Sequence, residues 1–421
     1  MRVGEEECIV HQESFFTESR LFQGRHVHLG VTGSVASYVS ADLLRLWKKA
    51  GLFVSVTLSE GARRFVTPLL FQALGAMPVY TDMFAEEQDV FAHLEVGQKA
   101  EVFVLAPASA SAIARLAHGF ANDLLSAQAL AFSGPLLVAP AMNPRMYGHP
   151  ALQENLGLLK KHGAHILEPD QGATACGDEG KGRLCATNLI FWEALKAISV
   201  QDMQGKNVLI TLGPTREFWD GVRFWSNPST GRMGMAFALV AWMRGANVSL
   251  VHGPIAPYVL PRSVSSCAVS SAEEMYCAVM DRWDSTDVGI FTAAVADFSP
   301  VPYGDRKSKF KKDGKESFSI QLTRNKDILQ SCVLKKRDGQ RIIGFAAETA
   351  RDLEELERLA TLKREKKGCD ILAANCVNSS QTGFASHTNQ VVVCDGKRSQ
   401  TWPLMSKTDV AWRICSWLLD A

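Results

Sequence analysis

Two segments of the chain repeat the same order of apolar and polar positions. The first reads as a buried strand, a helix with apolar residues three and four apart, and a second buried strand: "HVHLGVT", "ASYVSADLLRLWKKAG" and "LFVSVTL". The second has the same plan in "NVLITL", "GRMGMAFALVAWMRGA" and "NVSLVHG". Because a strand–helix–strand unit implies a parallel sheet, each segment predicts the start of a doubly wound α/β domain.

The remaining apolar runs extend both predicted sheets. "VFVLAPAS", "PLLVAPAM" and "HILEP" add strands to the first, and "VGIFTAAVADF", "RIIGFAAET" and "CDILAANCV" add strands to the second. "QVVVCDGKRSQTWPL" predicts an edge hairpin, followed by a final helix. We therefore expect two parallel-sheet α/β domains in tandem, Rossmann-like or flavodoxin-like, at 25–195 and 206–421, with a linker at 196–205. Residues 1–24 are polar and are expected to form an extension that packs weakly.

Composition and charge limit the kinds of partner that the protein is expected to bind. The 421 residues carry 45 basic and 44 acidic side chains, a net charge of +1, so no overall field attracts nucleic acid or an anionic membrane. The sequence contains no run of about 18 apolar residues, so no membrane-spanning helix is expected. The polar start "MRVGEEECIVHQESFF" does not resemble a signal peptide. Ten scattered cysteines without a Cys-x-x-Cys pair favour reduced thiols and a cytoplasmic protein, without a structural zinc site.

Small polar residues follow two predicted strands of the first domain. Gly33 and Ser34 lie in "GVTGSVAS", and Ser109, Asn122 and Ser126 lie in "APASASAIARLAHGFANDLLS". In open α/β sheets, ligands bind beyond the carboxyl ends of the strands, and such residues suit a phosphate and a flat ring. A plain tight turn explains "GVTGS" equally well. The absence of Gly-x-Gly-x-x-Gly and of an acidic ribose ligand favours a mononucleotide over a dinucleotide.

Three further residues of the first domain are unusual for their positions. His93 lies in "FAHLEVG", where a lone histidine is more often structural. Asn143 follows a buried strand in "PAMNPRMY", where it could simply cap the next turn. Cys176 lies among glycines and charged residues in "ATACGDEGKGRL", which reads as a mobile loop. Three such residues in one domain favour a functional site.

The second domain contains candidate sites for an anionic ligand. "NPSTGRMG" is a polar, glycine-containing entry to a helix, whose backbone amides suit an anion. Asp297 ends the predicted strand "AAVADF". Six basic residues between positions 306 and 315 form either a solvated loop or a triphosphate site. Lys363 and Lys367 are four residues apart, so they lie on one face of a helix.

Taken in order, these motifs resemble the family of bifunctional phosphopantothenoylcysteine decarboxylase / phosphopantothenate–cysteine ligases of bacterial coenzyme A biosynthesis. The likeness runs from about residue 25 to the C-terminus. "GVTGSVASY", "APASA", "HLEVG", "PAMNPRMY" and "ACGDEGKGR" are similar to the decarboxylase half, and "GPTRE", "NPSTGRMG", "AAVADF", "KFKK" and "GFAAET" to the ligase half. The chain departs from the family pattern at four positions: Val39, Pro228, Arg232 and Cys376.

The resemblance implies a role for individual residues. His93 is the catalytic histidine, Asn143 contacts the substrate carboxylate, and Cys176 returns a proton. Asn227 stabilises the acyl-nucleotide, and Lys309 is needed for ligation. The implied FMN contacts are Gly33, Ser34, a serine assigned to position 58, Ser109, Asn122, Ser126 and Met142; position 58 is in fact Leu58, and the neighbouring serine is Ser59. The implied CTP contacts are Asp297, Lys309, Lys326, Asp327, Ile328, Phe345, Lys363 and Lys367.

The activity that the resemblance implies has two steps. Cysteine is ligated to 4′-phosphopantothenate with CTP through an acyl-cytidylate, with Mg²⁺ as a second cofactor whose ligands the sequence does not identify. The product is then decarboxylated with FMN to 4′-phosphopantetheine. All partners expected are small molecules, apart from further copies of the chain in a homo-oligomer. The alternative is a flavin-binding regulatory module that acts through partner proteins, and the presence of His93, Asn143 and Cys176 together favours the enzyme. A two-domain nicotinamide oxidoreductase would need the dinucleotide fingerprint that is missing.

Overall fold

The structure is a computed structural model that describes residues 15–84, 91–174, 177–304, 308–311, 317–377 and 386–420. It divides into two compact units. The first is Phe16–Val200, and Phe15 belongs with Gln201–Ala421 to the second. Each unit is built on its own largely parallel sheet, so the predicted fold class of two parallel-sheet α/β domains is confirmed. No helix in the described ranges is both long and apolar enough to cross a membrane.

The first unit forms a doubly wound sheet because its strands are apolar on both faces and alternate with helices. The elements in chain order are β1 His26–Val31, α1 Val39–Lys49, β2 Phe53–Leu58, α2 Pro68–Ala73, β3 Val79–Tyr80, α3 Ala92–Lys99, β4 Val102–Ala108, α4 Ala110–Ala117, α5 Leu124–Ala131, β5 Leu136–Pro140, α6 Pro144–Tyr147, α7 Pro150–Lys161, β6 His165–Ile166, β7 Asp170–Ala173, β8 Glu179–Arg183 and α8 Thr187–Ala197. Short 3₁₀ helices cover Val35–Tyr38 and Ala62–Arg64.

Six strands of this unit lie in the order β3-β2-β1-β4-β5-β6, all parallel. The direction of winding reverses between β1 and β4, which pair directly from Val27 opposite Val102. A crevice opens at such a reversal, beyond the carboxyl ends of the strands. The strands β7 and β8 stand apart from the sheet as an antiparallel pair.

The second unit repeats the plan and adds an antiparallel edge. Its elements are β9 Asn207–Leu212, β10 Arg216–Phe218, β11 Phe224–Ser226, α9 Arg232–Met243, β12 Asn247–His252, β13 Ser265–Ala268, α10 Ala272–Trp283, β14 Val288–Phe291, β15 Phe298–Pro300, β16 Leu322–Arg324, α11 Ile328–Leu334, β17 Arg341–Glu348, α12 Leu353–Lys367, β18 Ile371–Cys376, β19 Thr388–Asn389, β20 Val391–Cys394, β21 Ser399–Thr401, β22 Met405–Ser406 and α13 Lys407–Leu419. The main sheet has the order β13-β12-β9-β14-β17-β18-β20-β21. The last two strands are antiparallel, which confirms the predicted edge hairpin.

Helices cover both faces of the second sheet. Residues of α10, α11 and α12 share one core cluster with alternate strand residues such as Leu209 and Leu372, and alternation along a strand means that these side chains point to one face. The helices α9 and α13 pack against each other, and Arg244 after α9 donates a hydrogen bond to the Trp412 carbonyl at 3.0 Å. Right-handed crossovers place α9 on the face opposite α10 to α12, so α13 lies there as well.

One expectation about the N-terminal region was wrong. Phe15, Phe16 and Phe22 are at most 3% exposed, so this part of 1–24 does not pack weakly. Phe16 and Phe22 meet edge to face at 6.1 Å. The signal was the spacing of aromatic residues in an otherwise polar segment, because large aromatic side chains bury far more apolar surface than their number suggests. The exact domain limits at 24, 195 and 206 stay predictions.

Candidate functional site

The first strand of the first unit ends in a close approach of two backbones. A Cβ on Gly33 would lie 3.1 Å from the backbone of Gly61, so a side chain there would push apart the turns after β1 and β2 by a few tenths of an ångström. Ser34 caps the following 3₁₀ helix, and its Oγ donates to the carbonyl of Ala141 at 3.1 Å. The ends of β1, β2 and β5 are therefore joined at the crevice where the winding reverses.

Ser109 joins the end of β4 to the same crevice. Its N–H donates to Thr32 Oγ1 at 2.8 Å, and its side chain caps α4. Helix N-termini carry unpaired N–H groups and a partial positive charge. The structure therefore brings Gly33, Ser34 and Ser109 to two helix starts that suit a phosphate, and their contact with FMN stays a prediction.

Three other residues of the predicted FMN set have different surroundings. Ser126 is 2% exposed, and its hydroxyl donates to Asp123 Oδ1 at 2.6 Å within the capping box that starts α5. Asn122 is exposed just before that helix. The prediction of a serine at position 58 was wrong: Leu58 is buried in β2, and the neighbouring Ser59 Oγ accepts the Ala62 N–H at 3.2 Å.

The two most specific motifs of the first unit pack against each other. The segment of Cys176 was expected to be a loop, but its flanks form the β7–β8 hairpin. A Cβ on Gly182 would lie 2.4 Å from the carbonyl oxygen of Met142, and one on Gly180 would lie 2.9 Å from the Pro144 ring. The Met142 N–H also donates to the Gly182 carbonyl at 2.9 Å. The glycines are therefore needed for the hairpin to lie on the turn after β5.

Both polar atoms of the Asn143 side-chain amide are hydrogen-bonded at this contact. Asn143 Oδ1 accepts the Arg145 N–H at 2.8 Å, the capping role that the sequence left open. Asn143 Nδ2 donates to Asp178 Oδ2 at 2.7 Å, and Arg145 forms an ion pair with the same carboxylate at 3.2 Å. The hydrogen bond from Asn143, followed by the charge of Arg145, lowers the pKa of Asp178.

Cys176 itself lies outside the described residues. The residues on either side of the undescribed pair are hydrogen-bonded, since the Gly177 N–H donates to the Thr174 carbonyl at 2.9 Å. Asp178, two residues after Cys176, lies next to Asn143. The role of Cys176 in proton return stays a prediction.

His93 lies in the first turn of α3 and is half-buried. A buried amide fixes the residue before it: Gln128 Nε2 donates to the Ala92 carbonyl at 3.1 Å, and Gln128 Oε1 accepts the Thr57 hydroxyl at 2.6 Å. Gln128 is fully buried, so these bonds replace its contacts with water. No motif in the sequence identifies this glutamine, which looks like one more residue of an apolar helix.

A cavity of about 680 Å³ lies at the carboxyl edge of the second sheet. Strand ends of β9, β14, β17 and β18 form its floor. Eight predicted residues line it: Asn227, Asp297, Lys326, Asp327, Ile328, Phe345, Lys363 and Lys367. Asp297 does not end a strand as expected, because β14 stops at Phe291 and the small residues after it line the cavity instead.

Three lysines of the cavity are paired with carboxylates. Lys363 binds Glu348 and Lys326 binds Glu273, both at 2.7 Å, and Lys367 forms an ion pair with Asp327. Lys363 and Lys367 both line the cavity, which confirms that they share a helical face. Burial raises the pKa of Asp327, but the Lys367 hydrogen bond and a backbone N–H outweigh it and leave that pKa lowered.

Asn227 and Lys309 occupy different positions relative to the cavity. Asn227 is on the cavity wall, and its Nδ2 donates to the carbonyls of Ala294 and Val295, both at 3.2 Å. Lys309 is exposed and does not line the cavity. Its neighbour Phe310 donates its N–H to Asp220 Oδ2 at 3.0 Å, which ties the lysine segment to the β10–β11 turn.

The cavity also contains residues that the sequence analysis missed. Arg324, Lys366, Asn389 and Lys407 line it, and no motif identified them. Among the described residues, no group of three or more His, Cys, Asp or Glu side chains is placed to hold a metal ion. Two carboxylates, Asp297 and Asp327, face the cavity.

Comparisons with known proteins agree on both units. The model of the flavoprotein family matches residues 16–198. The model described as the DNA/pantothenate metabolism flavoprotein C-terminal domain matches residues 203–421.

Two of the most similar solved structures each cover one unit. The C-terminal domain of coenzyme A biosynthesis bifunctional protein CoaBC is 38% identical and covers 51% of this chain and 94% of its own, at a TM-score of 0.41. A PPC decarboxylase mutant complexed with pantothenoylaminoethenethiol is 26% identical and covers 40% of this chain and 95% of its own, at a TM-score of 0.36. The family assignment therefore rests on sequence relatives.

Those relatives span both units. The coenzyme A biosynthesis bifunctional protein CoaBC of Bacillus subtilis (strain 168) is 40% identical over 400 residues, which is 94% of this chain and 96% of the relative. The protein of the same name from Escherichia coli (strain K12) is 39% identical over 368 residues, 87% of this chain and 89% of the relative. The chain belongs to the family of CoaBC bifunctional proteins of coenzyme A biosynthesis.

Proposed function

We propose that the second unit ligates cysteine to 4′-phosphopantothenate with CTP and that the first unit decarboxylates the product to 4′-phosphopantetheine. The observation that carries this proposal is the likeness to the CoaBC proteins along nearly the whole chain. The cavity supports it, because the predicted ligase residues other than Lys309 come together there from five separate segments of sequence.

In the ligase reaction, the carboxylate of phosphopantothenate attacks the α-phosphate of CTP and pyrophosphate leaves. The cysteine amine then displaces CMP from the acyl-cytidylate. Both steps add negative charge near phosphates, which lysine ammonium groups and Mg²⁺ offset. Lys326, Lys363 and Lys367 line the cavity for this task. Asp297 and Asp327 are candidate Mg²⁺ ligands, since this ion commonly binds one or two carboxylates together with substrate phosphates.

The crevice of the first unit fits FMN. Gly33 packs tightly against Gly61, and Ser34 and Ser109 start two helices beside it, which suits one phosphate. When bound, FMN supplies a two-electron oxidant for the substrate thiol, and the oxidised substrate loses carbon dioxide easily. Asn143 orients the carboxylate that leaves, and His93 is placed at the start of α3 to accept a proton. Cys176 would return a proton at the last step.

Turnover of the purified protein tests the proposal. With phosphopantothenate, cysteine, CTP and Mg²⁺, we expect 4′-phosphopantetheine, pyrophosphate and CMP in equal amounts. Denaturation should release FMN, and the Lys309→Gln variant should lose ligation but still decarboxylate supplied phosphopantothenoylcysteine. Failure to form an acyl-cytidylate would exclude the ligase function. Release of FAD, or no flavin binding after reconstitution, would exclude the decarboxylase function.

The cysteine has its own test. The Cys176→Ser variant should bind FMN and release carbon dioxide, then stop at an oxidised enethiol product, because serine is a far weaker acid than cysteine with its pKa of about 8.5. His93→Asn should block earlier and release no carbon dioxide. Normal product formation by Cys176→Ser would exclude this role.

A further inference from the structure

Lys407 is a buried lysine in the wall of the second cavity. It is 6% exposed, it is the first residue of α13, and it lines the cavity. Within the described ranges its ammonium group makes no hydrogen bond and no ion pair; only its backbone N–H is bonded, to the His387 carbonyl at 3.2 Å. The cavity lysines 326, 363 and 367 differ from it, since each has a carboxylate partner.

An unpaired buried ammonium is unfavourable unless something compensates it. Burial, together with the charge of Arg232, lowers the pKa of Lys407 to about 8. The group therefore stays mostly protonated at pH 7. A positive charge is thus held on the cavity wall without a carboxylate partner among the described residues, which is the arrangement expected where an anionic ligand binds.

Lys407 lies on a different side of the sheet from four of the proposed nucleotide contacts, whereas a fifth, Phe345, packs against Phe237 of α9 with the ring centroids 6.4 Å apart. Lys326 and Asp327 precede α11, and Lys363 and Lys367 lie on α12, so all four come from one side of the sheet. Lys407 starts α13, which packs with α9 on the other side. The cavity spans the edge of the sheet between them. A ligand that fills the cavity can therefore contact residues from both sides of the sheet, Lys407 among them.

The wall beside Lys407 has a second unsatisfied polar group. Asn389 is 2% exposed and lines the cavity, and its Oδ1 has no hydrogen-bond partner in the described part of the chain. Asn389 belongs to the short ladder of β19 with β22, and Lys407 follows β22 directly as the first residue of α13. A buried polar atom without a partner requires an explanation, and a polar ligand beside Lys407 supplies one.

We propose that Lys407 binds an anionic oxygen of a ligase substrate other than the nucleotide, either the phosphate of 4′-phosphopantothenate or the carboxylate of cysteine. This inference rests on the proposed ligase function. A hydrogen bond to a charged group contributes about 1.5–3 kcal/mol, so its loss corresponds to a rise of roughly 10-fold to 100-fold in one Michaelis constant.

The test compares the full-length Lys407→Met and Lys407→Arg variants with wild type. Methionine keeps the length and buries well, and arginine keeps the charge. The control is Lys397→Met, which removes an exposed lysine from the β20–β21 turn of the same unit. The Michaelis constants for CTP, phosphopantothenate and cysteine are measured separately with the other two substrates saturating. The melting temperature is recorded for each protein.

We expect Lys407→Met to raise the constant for phosphopantothenate or for cysteine while the constant for CTP stays unchanged. A rise for phosphopantothenate identifies the phosphate as the ligand group, and a rise for cysteine identifies the carboxylate. Lys407→Arg should raise the same constant less, because arginine keeps the charge. The melting temperature of Lys407→Met should equal or exceed that of wild type, because an unpaired buried charge has been removed. Unchanged constants, or a rise for CTP alone, would overturn the inference.

The first half-reaction distinguishes failure of the proposed function from failure of the inference about Lys407. Wild type must release pyrophosphate when given phosphopantothenate and CTP without cysteine; if it does not, the proposed function fails and the inference fails with it. If Lys407→Met does not fold, Lys407→Gln, which keeps a polar side chain, replaces it and is judged by the same constants.

Discussion

At the scale of single residues, the contact between Asn143 and Asp178 determines the orientation of the Asn143 side-chain amide in the first unit. The Arg145 N–H and the Asp178 carboxylate hold opposite ends of that amide, so its plane is fixed before a substrate arrives. A side chain that is already oriented loses less entropy when it binds. Asp178 is thus a positioning residue for Asn143.

The Asp178→Asn variant should therefore decarboxylate poorly. The charged hydrogen bond is lost, and we expect kcat/KM for phosphopantothenoylcysteine to fall by about 10-fold. Flavin content should not change. Ligation by the same preparation serves as the internal control, and a parallel loss of ligation would indicate misfolding rather than a local effect.

Asn143 also shows how much of the role of a single residue can be predicted from the sequence. Its capping role and its place in a site were both visible from the motif, but its partner Asp178 was not, because that contact depends on how the hairpin folds back. Ser126 shows the opposite case. A serine near a strand end looked like a ligand contact, yet its hydroxyl is used within its own helix start.

At the scale of elements, the β7–β8 hairpin depends on glycine where it meets the turn after β5. The Gly182→Ala variant would place a methyl group 2.4 Å from the Met142 carbonyl oxygen, which is too close for any packed contact. The hairpin must move away, and Asp178 moves with it. We expect a loss of decarboxylation of more than about 10-fold with both units still folded.

Gly157→Ala is the matched control. This glycine lies in α7 with open space around its Cα, and alanine in a helix is favoured over glycine by about 0.5–1 kcal/mol. This variant should keep full activity and gain slightly in melting temperature. Equal activity of Gly182→Ala and Gly157→Ala would show that the hairpin contact is not needed.

A second element, the β10–β11 turn, holds the segment of Lys309. Burial raises the pKa of Asp220, but three backbone N–H donors and the Arg223 guanidinium outweigh it and lower the pKa to about 2. Because the folded-state pKa is lowered, its stabilising effect is complete above the ordinary range near pH 3.9 and is lost as the pH falls through about 2.

The Asp220→Asn variant tests this element. At pH 7 it should melt at a lower temperature than wild type and lose ligation, because Phe310 and the adjacent Lys309 are released. The difference in melting temperature should shrink as the pH is lowered from 5 toward 3. A difference that is independent of pH would contradict the role of the charge, and decarboxylation should be unaffected throughout.

The sequence predicted elements more reliably where they were long and periodic. Both sheets and their helices followed from the alternation of strands and helices, but "AAVADF" was read as a strand although the chain leaves the sheet after Phe291. Small apolar residues look alike in a buried strand and in the floor of a cavity. Lys407 was not predicted as a cavity residue for a related reason, since burial of a lysine depends on tertiary packing that local sequence does not encode.

At the scale of the whole molecule, the second unit takes in a residue from the start of the chain. The Phe15 ring lies 4.8 Å from the Arg232 guanidinium and 6.1 Å from the Tyr258 ring, and its carbonyl accepts the Thr408 hydroxyl at 2.6 Å. A fragment that begins after residue 200 lacks all three contacts. The second unit is therefore incomplete when it is cut off at the boundary between the units.

The Phe15→Ala variant should reproduce this defect in the full chain. Loss of a buried phenylalanine commonly costs about 3–5 kcal/mol, so we expect the second unit to melt earlier, at a temperature close to that of a fragment of residues 201–421. Phe53→Ala, at a position 61% exposed in the first unit, should leave both transitions in place. A fragment as stable as the second unit of the intact chain would contradict this prediction.

The hydrogen bond between Thr408 and Phe15 joins residues that are 393 positions apart. During synthesis the Phe15 carbonyl leaves the ribosome before the first unit, while Thr408, in α13, emerges after the other elements of the second unit. The first unit is released whole long before that. A nascent chain that stops short of α13 would therefore carry a finished flavin unit and an open ligase unit, so proteases that remove truncated chains would meet the second unit first.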